Sequence, residues 1–395
     1  MWDEKINICY GISDKKGNYA KVVGTSICSL LENCDAPLKI NIIHDETMIE
    51  ENRKKFQNLI EGYGQEVCFY DVSKKWKNTL EVMEKSIQAI TGTRFNIGAV
   101  LRLFMGDVLK QEKRIIYLDA DIIVNMNIRE LWESDIPDSG LAAVSDIPIQ
   151  QTHITKTIKS GMVIREEYFN SGVLLIDLEK FRSIDGILNK CAGFITAYKP
   201  EYMDQDFLNC YFPHSAVLPE KYNCFVYRGR QKGGPEFGYM YHFANNCAGL
   251  DMDDDFNRLY CKYFAKTPWC NESFIGNLAK KINDTNYGYL NYANKCAGRR
   301  RIVIGNNSGK EIISNMLGFH GDDLYVAFED IEKFQLNFKK SKDVFLIFLV
   351  GSDYKKVVDS LTSLGLLENQ HFFDMCGMLG WLKSNNLGYD LFIDC

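Results

Sequence analysis

The chain has 395 residues, of which 46% are hydrophobic and 25% are charged, and its formal net charge is −6 at pH 7. This length is enough for two domains with sizeable cores, and the composition is that of a globular protein, not a disordered one. The acidic balance argues against nucleic-acid binding, and no apolar run approaches the ~18 residues that a membrane-spanning helix requires.

Residues 6–118 alternate between strand-like and helix-like segments. In chain order, the pattern predicts a strand at 6–10, a helix at 20–31, a strand at 38–44, a helix at 46–63, a strand at 67–70, a helix at 98–109 and a strand at 115–118. Such alternation predicts a parallel α/β sheet with helices on both faces. Ligands of these sheets bind at the carboxyl ends of the strands.

Two carboxylates stand directly after the last of these strands. Asp119 and Asp121 follow the apolar run Ile115–Leu118 and precede another apolar run. Side chains two residues apart on an extended segment project to the same side, and hard divalent cations prefer oxygen ligands. The pair alone is equally compatible with a metal site and with a solvated strand end or an Asx turn.

A second α/β pattern begins near Cys296. It contains strands at 302–304, 324–328, 344–350 and 372–373, a helix ending at Leu317 and a helix at 354–364. We predict an α/β first domain at 1–270, a helical connector at 271–298 and a small Rossmann-like α/β domain at 299–395. The loop Gly305–Gly309 is one residue short of a P-loop, and Glu311 replaces the Ser or Thr that holds magnesium. We interpret it as a strand-to-helix turn.

The N-terminus and the cysteines suggest the cellular compartment. Asp3, Glu4 and Lys5 precede the first strand, which is not the pattern of a secretory signal peptide. The thirteen cysteines include no Cys-x-x-Cys pair, and several, such as Cys9, lie in apolar patterns. We expect free thiols in a reducing cytoplasm, without disulfides or structural zinc.

Further polar motifs accompany the acidic pair, in a fixed order along the chain. They are Tyr10–Asp14, Arg102, Asn170-Ser171-Gly172, Asp204-Gln205, His242 within an aromatic strand, and Lys266-Thr267-Pro268-Trp269. Each has an ordinary reading by itself, such as a core histidine or a helix cap. Together with Asp119 and Asp121, their order resembles bacterial glycosyltransferase family 8, the retaining galactosyl- and glucosyltransferases of the lipopolysaccharide type, over residues 5–270.

This resemblance implies a GT-A fold, a UDP-sugar donor and Mn²⁺, with Mg²⁺ as a substitute. It implies Asp119, Asp121 and His242 as metal ligands, a set that suits manganese. The implied donor-binding residues are Tyr10, Gly11, Asp14, Asn170, Ser171, Gly172 and Lys266, with Tyr10 and Gly11 at the uridine and Lys266 at the diphosphate. The implied catalytic, sugar-side residues are Arg102, Asp146, Asp204 and Gln205, with Gln205 nearest the β face of the anomeric carbon.

Two departures from the family pattern concern Asp14 and Lys266. The first strand ends in Ser13-Asp14, where the family often has an earlier aspartate that binds the base or helps the metal. The segment Ala244–Ala265, with the acidic run Asp251–Asp255, separates His242 from Lys266, where the family has a few residues. Such a run is usually a solvated turn, although a lid or an acceptor contact is an alternative.

These features predict a cytoplasmic hexosyltransferase that retains the configuration of the donor sugar. If the enzyme binds lipid, we expect it at the inner face of the membrane. It would move glucose or galactose from a UDP-sugar to a glycan or glycolipid acceptor in surface polysaccharide synthesis. The alternatives are a non-catalytic scaffold derived from a transferase and a self-glucosylating, glycogenin-like enzyme. Arg299–Arg301 and Lys280-Lys281 are a weak signal for an anionic membrane surface. We expect the C-terminal domain to position the acceptor or to form a homodimer.

Overall fold

The computed structural model describes residues 5–15, 17–91, 97–146, 153, 168–212, 215–244, 252–280, 301–305, 324–326, 346–350, 354–367 and 371–373. The chain divides into two compact units between Asn271 and Glu272. The predicted helix ending at Leu317, the connector beyond residue 280 and the Gly305–Gly309 loop after Gly305 lie outside the described residues. The domain limits 1–270, 271–298 and 299–395 stay predictions.

A seven-stranded sheet is the centre of the first unit. Its strands are β1 Ile6–Ile12, β2 Leu38–His44, β3 Glu66–Asp71, β4 Arg114–Leu118, β6 Leu141–Ser145, β7 Phe169–Asp177 and β8 Ala216–Leu218. The short strand β5, Ile122–Asn125, follows β4 in the chain but lies outside this sheet. The spatial order is β3-β2-β1-β4-β7-β6-β8. The α/β class and the alternation of strands and helices are therefore confirmed.

One strand of this sheet runs against the others. Strands β1 to β4 pair in parallel, but β7 is antiparallel to both β4 and β6. The parallel pairing predicted for the strands of residues 6–118 is confirmed. Strand β7 lies beyond that pattern, and apolar periodicity does not encode its direction. The reversal has a consequence for the site: the first residues of β7 reach the carboxyl end of β4, and Asp119 N–H donates to the carbonyl of Gly172 over 2.8 Å.

Helices cover the sheet and bury their apolar sides against it. The longer ones in the first unit are Tyr19–Asn33, Glu50–Gly62, Lys77–Thr91, Ile187–Tyr198, Met203–Tyr211 and Asp255–Phe264, and the short ones are Met105–Val108, Arg129–Trp132, Leu178–Arg182 and Val226–Gln231. The helix predicted at 98–109 is instead a 3-10 helix, Ile97–Phe104, followed by the α-helix Met105–Val108. This 3-10 helix places Arg102 within hydrogen-bond distance of Asp119 and Ser171, at the carboxyl end of β4.

A three-stranded sheet adjoins the main one at the acidic pair. It has the order β5-β10-β9, with β9 at Cys224–Phe225 and β10 at Tyr239–His242. In this register His242 lies opposite Ile122 and beside Phe225. A strand far along the chain thus delivers an imidazole to the residues that follow β4.

The segment Ala244–Ala265 is partly helical. Asp254 caps the helix Asp255–Phe264, since its carboxylate accepts from the N–H groups of Phe256 and Asn257 over 2.8 and 3.1 Å. The interpretation of the acidic run as an ordinary turn fits this cap, although Asp251 lies outside the described residues.

Trp269, which follows this helix, returns the chain to the first helix. Its ring lies against Gly24, its centroid is 4.8 Å from that of Phe56, and its Nε1 donates to Asn52 over 3.0 Å. The ring is nearly completely buried. Trp269 therefore ties the end of the first unit to its two first helices.

The second unit contains a four-stranded parallel sheet in the order β12-β11-β13-β14. Its strands are β11 Arg301–Gly305, β12 Leu324–Val326, β13 Leu346–Val350 and β14 Phe372–Phe373, with a helix at Tyr354–Ser363. These elements lie within the predicted segments, except that β11 extends one residue beyond the predicted strand 302–304 at each end. In neither unit does a described helix have the length and apolar character needed to cross a membrane.

Replacement of Gly24 tests the packing of Trp269. A Cβ at Gly24 would lie 2.3 Å from Cζ3 of the Trp269 ring, so Gly24→Ala should lower the free energy of unfolding by ~1–3 kcal/mol through overpacking. Gly193→Ala is the matched control, because a Cβ at this helical glycine meets nothing within 4 Å; there alanine should raise stability by up to about 1 kcal/mol. Urea denaturation measures both, and equal stability of Gly24→Ala and wild type would contradict the packing described.

Candidate functional site

Asp119, Asp121 and His242 form a compact cluster at the carboxyl end of β4. One ligand atom from each lies within 4.8 Å of the others, and Nε2 of His242 is 3.3 Å from Oδ1 of Asp121. Both aspartates are partly exposed, and the histidine is buried. Two carboxylate oxygens and one imidazole nitrogen at this spacing fit a divalent cation such as Mn²⁺.

Contacts on three sides hold the His242 ring. Nδ1 lies 2.9 Å from Oδ1 of Asn223, and the ring stacks on Phe225 with centroids 5.2 Å apart. Asn223 and Phe225 are two residues apart, so they reach the same side of one extended segment. On another side lies Gly172, where a Cβ would come 2.6 Å from Cε1 of the ring. Nε2 is therefore left facing the two aspartates.

The charges around His242 also suit a cation. Burial alone lowers the pKa of His242, but the carboxylates of Asp121, Asp119 and Asp146 outweigh burial and raise the pKa above its usual value. The negative potential that holds a proton on the imidazole in the absence of metal would equally attract a divalent cation.

Arg102 connects the acidic pair to the rest of the site. Its buried guanidinium donates to Oδ1 of Asp119 over 2.9 Å and to the carbonyl of Ser171. Nε lies 2.9 Å from Oδ2 of Asp204, while the Nε hydrogen points to the carbonyl of Ala99 at 3.1 Å. Burial lowers the pKa of Arg102, but Asp119 and Asp204 outweigh burial and raise it, so the guanidinium is charged.

Asp146, Asn170 and Gln205 form a second buried group next to Arg102. Asn170 Nδ2 and Gln205 Nε2 donate to Oδ2 of Asp146 over 3.0 and 3.2 Å. Oε1 of Gln205 accepts from the backbone N–H of Ser171 over 2.9 Å and from Asn170 Nδ2 over 3.1 Å. Its Nε2 also lies 3.2 Å from the hydroxyl of Tyr168. The Gln205 amide is thus held in one orientation.

Asp146 of this group and the neighbouring Asp204 have raised pKa values. Burial raises the pKa of Asp204 to about 7, against the lowering effect of Arg102. Burial also raises the pKa of Asp146, against the hydrogen bonds from Asn170 and Gln205. Oδ1 of Asp146 is buried and has no hydrogen-bond partner among the residues that the structure describes. Such an oxygen would gain from a hydroxyl donor of a ligand.

The helix that carries Asp204 and Gln205 begins in an unusual backbone conformation. Met203 has φ +39°, a region that non-glycine residues rarely adopt. Met203 is also buried. Conformations of this kind persist where surrounding contacts impose them, and they concentrate at functional sites.

The structure places Tyr10, Gly11 and Asp14 at the end of β1. The Tyr10 ring is fully buried, and its hydroxyl lies 3.1 Å from Oγ of Ser26, so only backbone atoms there could contact a base. At the buried Gly11 a Cβ would lie 3.0 Å from Cβ of Leu101. Asp14 accepts from the N–H groups at the start of the first helix, Tyr19 at 2.6 Å and Ala20 at 3.2 Å. Its carboxylate therefore serves as a helix cap.

Lys266 is not part of the cluster. Its ammonium pairs with Glu32 and is exposed. Asp14 caps the first helix at its start, Tyr19, and Glu32 is near the other end of this helix. At the rise per residue of an α-helix the two ends are roughly 20 Å apart. The physical reason is the inserted helix Asp255–Phe264, whose Tyr263 hydroxyl bonds to Asn33 and Asn125 over 2.8 and 3.1 Å. The predicted diphosphate contact of Lys266 has no support in this arrangement.

Sequence reasoning did not identify Asn223, Phe225 and Tyr168. All three contact proposed site residues, and Asn223 and Tyr168 do so through hydrogen bonds. The alternation of Asn223 and Phe225 around Cys224 was a weak strand signal, but their role depends on the pairing of β9 with β10, which is not local in the sequence.

Gly172→Ala tests the placement of His242. The added methyl would overlap the imidazole, so the ring must turn away from Asp121. We expect the affinity for Mn²⁺, measured by electron paramagnetic resonance of the free ion, to fall roughly 10-fold or more. Gly62→Ala, where a Cβ meets nothing within 4 Å, should bind Mn²⁺ like wild type. Unchanged affinity in Gly172→Ala would mean that His242 does not need the space at Gly172.

Known proteins are similar to this chain in sequence. The chain is 30% identical over 211 residues to the general stress protein A of Bacillus subtilis, a match that covers 52% of this chain and 66% of that protein. It is 27% identical over 227 residues to a lipopolysaccharide 1,2-glucosyltransferase of Escherichia coli, covering 56% and 63%. The matches with the most similar curated relatives thus span roughly half to two thirds of their length.

A solved structure has the same fold. The galactosyltransferase LgtC, crystallised with donor and acceptor sugar analogs, superposes with a TM-score of 0.56 at 22% identity, over 69% of this chain and 99% of that one. The resemblance to GT-A glycosyltransferases is confirmed at the level of the fold. The family model for glycosyl transferase family 8 matches residues 8–240, more than half of the sequence. The chain belongs to glycosyl transferase family 8.

Proposed function

We propose that the protein transfers glucose or galactose from a UDP-sugar to a glycan or glycolipid acceptor, with retention of configuration and with Mn²⁺ or, as a substitute, Mg²⁺. The observation that carries the proposal is the position of the Asp119–Asp121–His242 cluster. It lies beside the polar group of Asp146, Asn170 and Gln205, and Arg102 contacts Asp119 of the cluster and Asp204, the residue next to Gln205. A cation site next to a hydroxyl-binding site is what a sugar diphosphate requires.

The cluster supports the diphosphate end of this ligand. Three protein ligands leave positions for diphosphate oxygens on a cation of octahedral preference. A cation bound there would stabilise the negative charge that develops on the leaving phosphate oxygen. Because Lys266 is paired elsewhere, the cation and Arg102 are the positive groups that we assign to this end among the described residues.

The buried polar group supports the sugar end. Oδ1 of Asp146 has no partner among the described residues, so a sugar hydroxyl would satisfy it. The carboxylates of Asp146 and Asp204 would also stabilise positive charge on the sugar ring in the transition state. The donor would therefore bind in one direction, with its diphosphate at the cluster of Asp119, Asp121 and His242 and its sugar at the buried polar group.

Gln205 has the role of a positioned amide in this proposal. Its Oε1 accepts from Ser171 and Asn170, and its Nε2 donates to Asp146. An amide oxygen is a poor covalent nucleophile, so we favour substitution on the front face over a two-step displacement. The acceptor hydroxyl would pass its proton to the departing phosphate, and no strong base is required.

Two alternatives remain distinguishable by experiment. The complete cluster of Asp119, Asp121 and His242 disfavours a non-catalytic scaffold, because a site that no longer binds a cation would not require three ligands that converge on one point. Release of UDP with and without added acceptor separates hydrolysis, transfer and self-glucosylation. Surface polysaccharide synthesis, cytoplasmic location, contact with a membrane surface and the acceptor-positioning or dimer-forming role of the second unit stay predictions.

Loss of one carboxylate should abolish metal-dependent donor binding. Asp121→Asn is expected to remove UDP binding that depends on Mn²⁺ and to stop turnover, as a chelator should do with wild type, while the fold stays intact because a partly exposed acid contributes little to the core. Asp138→Asn, at an exposed surface position, is the control. Calorimetric titration of UDP with and without Mn²⁺ measures the effect, and unchanged turnover in Asp121→Asn would refute the cation assignment.

The stereochemistry of the product tests the proposed mechanism. An α-configured UDP-sugar should give an α-linked product by proton NMR. Gln205→Ala should lower kcat by roughly 100-fold and change KM less, because its contact strengthens in the transition state. Gln57→Ala, on an exposed side of the helix Glu50–Gly62, should match wild type. A β-linked product contradicts retention.

A further inference from the structure

We propose that Asn223 is a positioning residue that holds His242 in the tautomer protonated at Nδ1, so that the lone pair of Nε2 faces the cation. The inference rests on the proposed function for the presence of a cation, but the tautomer itself follows from contacts within the chain. The other ring nitrogen, Nε2, lies 3.3 Å from Oδ1 of Asp121, one of the proposed cation ligands.

A backbone N–H group can only donate a hydrogen bond. The N–H of Gly172 lies 2.9 Å from Oδ1 of Asn170, so the Asn170 atom that faces it must be oxygen. The contact of the Asn170 nitrogen supports the same orientation, since Nδ2 lies 3.0 Å from Oδ2 of Asp146. An ionised carboxylate can only accept, so the atom facing it must be the NH₂ group. Chemistry thus fixes the orientation of the Asn170 amide, which diffraction data rarely distinguish.

The next amide is oriented by the first. Oδ1 of Asn170, an acceptor, lies 2.8 Å from the Asn223 amide, so this atom of Asn223 must be the NH₂ group. Oδ1 of Asn223 then faces Nδ1 of His242 at 2.9 Å. Since the Asn223 oxygen can only accept, Nδ1 must carry a proton. In a neutral ring Nε2 is then the free lone pair, and it faces Oδ1 of Asp121 at 3.3 Å.

The surroundings leave little freedom for another arrangement. Asn223 is 2% exposed, and its backbone continues into the strand that holds Phe225 against the imidazole. If Nε2 carried the only proton, the lone pair of Nδ1 would face the buried Asn223 oxygen with nothing between these two acceptors. In the ring protonated at Nδ1 the lone pair of Nε2 faces Oδ1 of Asp121 instead, and there a cation would lie between the two acceptors. Turning the Asn223 amide over would only move this conflict to Asn170.

The inference predicts a cost for losing Asn223. Partners that orient a metal-ligating histidine typically contribute 10–100-fold to metal affinity. In Asn223→Ala the ring loses its acceptor, so both tautomers become accessible and the Mn²⁺ affinity should fall by about this factor. In Asn223→Asp one carboxylate oxygen still accepts from Nδ1, so the tautomer should persist, while the other oxygen meets the acceptor Oδ1 of Asn170, which should lower stability.

The direct test is nitrogen NMR on the full-length protein labelled with ¹⁵N-histidine, without metal, at a pH above the titration of the His242 ring, which the same spectra locate. The His242 signals are assigned by their absence in His242→Gln. Wild type and Asn223→Asp should show the Nδ1-protonated tautomer, and Asn223→Ala should shift toward the Nε2-protonated one. A wild-type ring protonated at Nε2, or the same tautomer in Asn223→Ala as in wild type, overturns the inference.

Titration of the same variants with Mn²⁺ separates this inference from the proposed function. Asn41→Ala is the control, because Asn41 is a fully buried asparagine of β2 that bonds to the carbonyl of Ile8, away from His242. It should lose stability without losing Mn²⁺ affinity. If wild type shows the expected tautomer but binds no Mn²⁺, the proposed cation is wrong and the role of Asn223 stands. Wild-type affinity in a folded Asn223→Ala contradicts the role of Asn223.

Discussion

The ion pairs of Arg102 are the interaction on which the site depends. Asp119 and Asp204 come from different elements, a strand end and a helix start, and the guanidinium lies within 2.9 Å of a carboxylate oxygen of each. Arg102 also donates to the carbonyl of Ser171. Removing one partner of a buried ion pair typically costs about 3–5 kcal/mol, because the other charge is left uncompensated. Arg102 thus allows acids to be concentrated here without unfolding the site.

Arg102 offsets only part of the negative charge. Asp121 lies on the side of the cluster toward His242, and Asp146 is hydrogen-bonded by amides, which carry no net charge. The raised pKa values of His242 and Asp146 are consistent with this excess of negative charge and with burial, respectively. A divalent cation at Asp119 and Asp121 would complete the neutralisation. The electrostatics and the geometry of the ligands therefore both favour a divalent cation as the ligand of the proposed site.

The sequence predicted those parts of the fold and site that are encoded locally. The spacing of Asp119 and Asp121 places both at the end of a strand, and the alternation of segments predicts the α/β class. The direction of β7 was not predictable, because it depends on which edge of the sheet the chain returns to. Nor was the role of Asn223, which depends on the pairing of β9 with β10 and on contact with Asn170.

Two residues show how burial and insertions limit motif transfer. Tyr10 stands at a motif position, but β1 is buried on both faces, and periodicity cannot tell which side a fully buried strand turns toward the ligand. Lys266 follows an inserted helix that packs on the first helix and carries the lysine to Glu32. In both cases tertiary packing, which no local pattern encodes, decides where the side chain lies.

The most direct test of the account is anomalous X-ray diffraction from crystals of the full-length protein grown with Mn²⁺ and UDP. The central claim is that Asp119, Asp121 and Nε2 of His242 hold one cation that also contacts the diphosphate. The account predicts an anomalous peak at about 2.0–2.3 Å from these three ligands, the range of nitrogen and oxygen ligands to divalent metals, with the diphosphate completing the coordination. A diphosphate bound at this edge with no anomalous peak, or a peak whose ligands exclude His242, would contradict it.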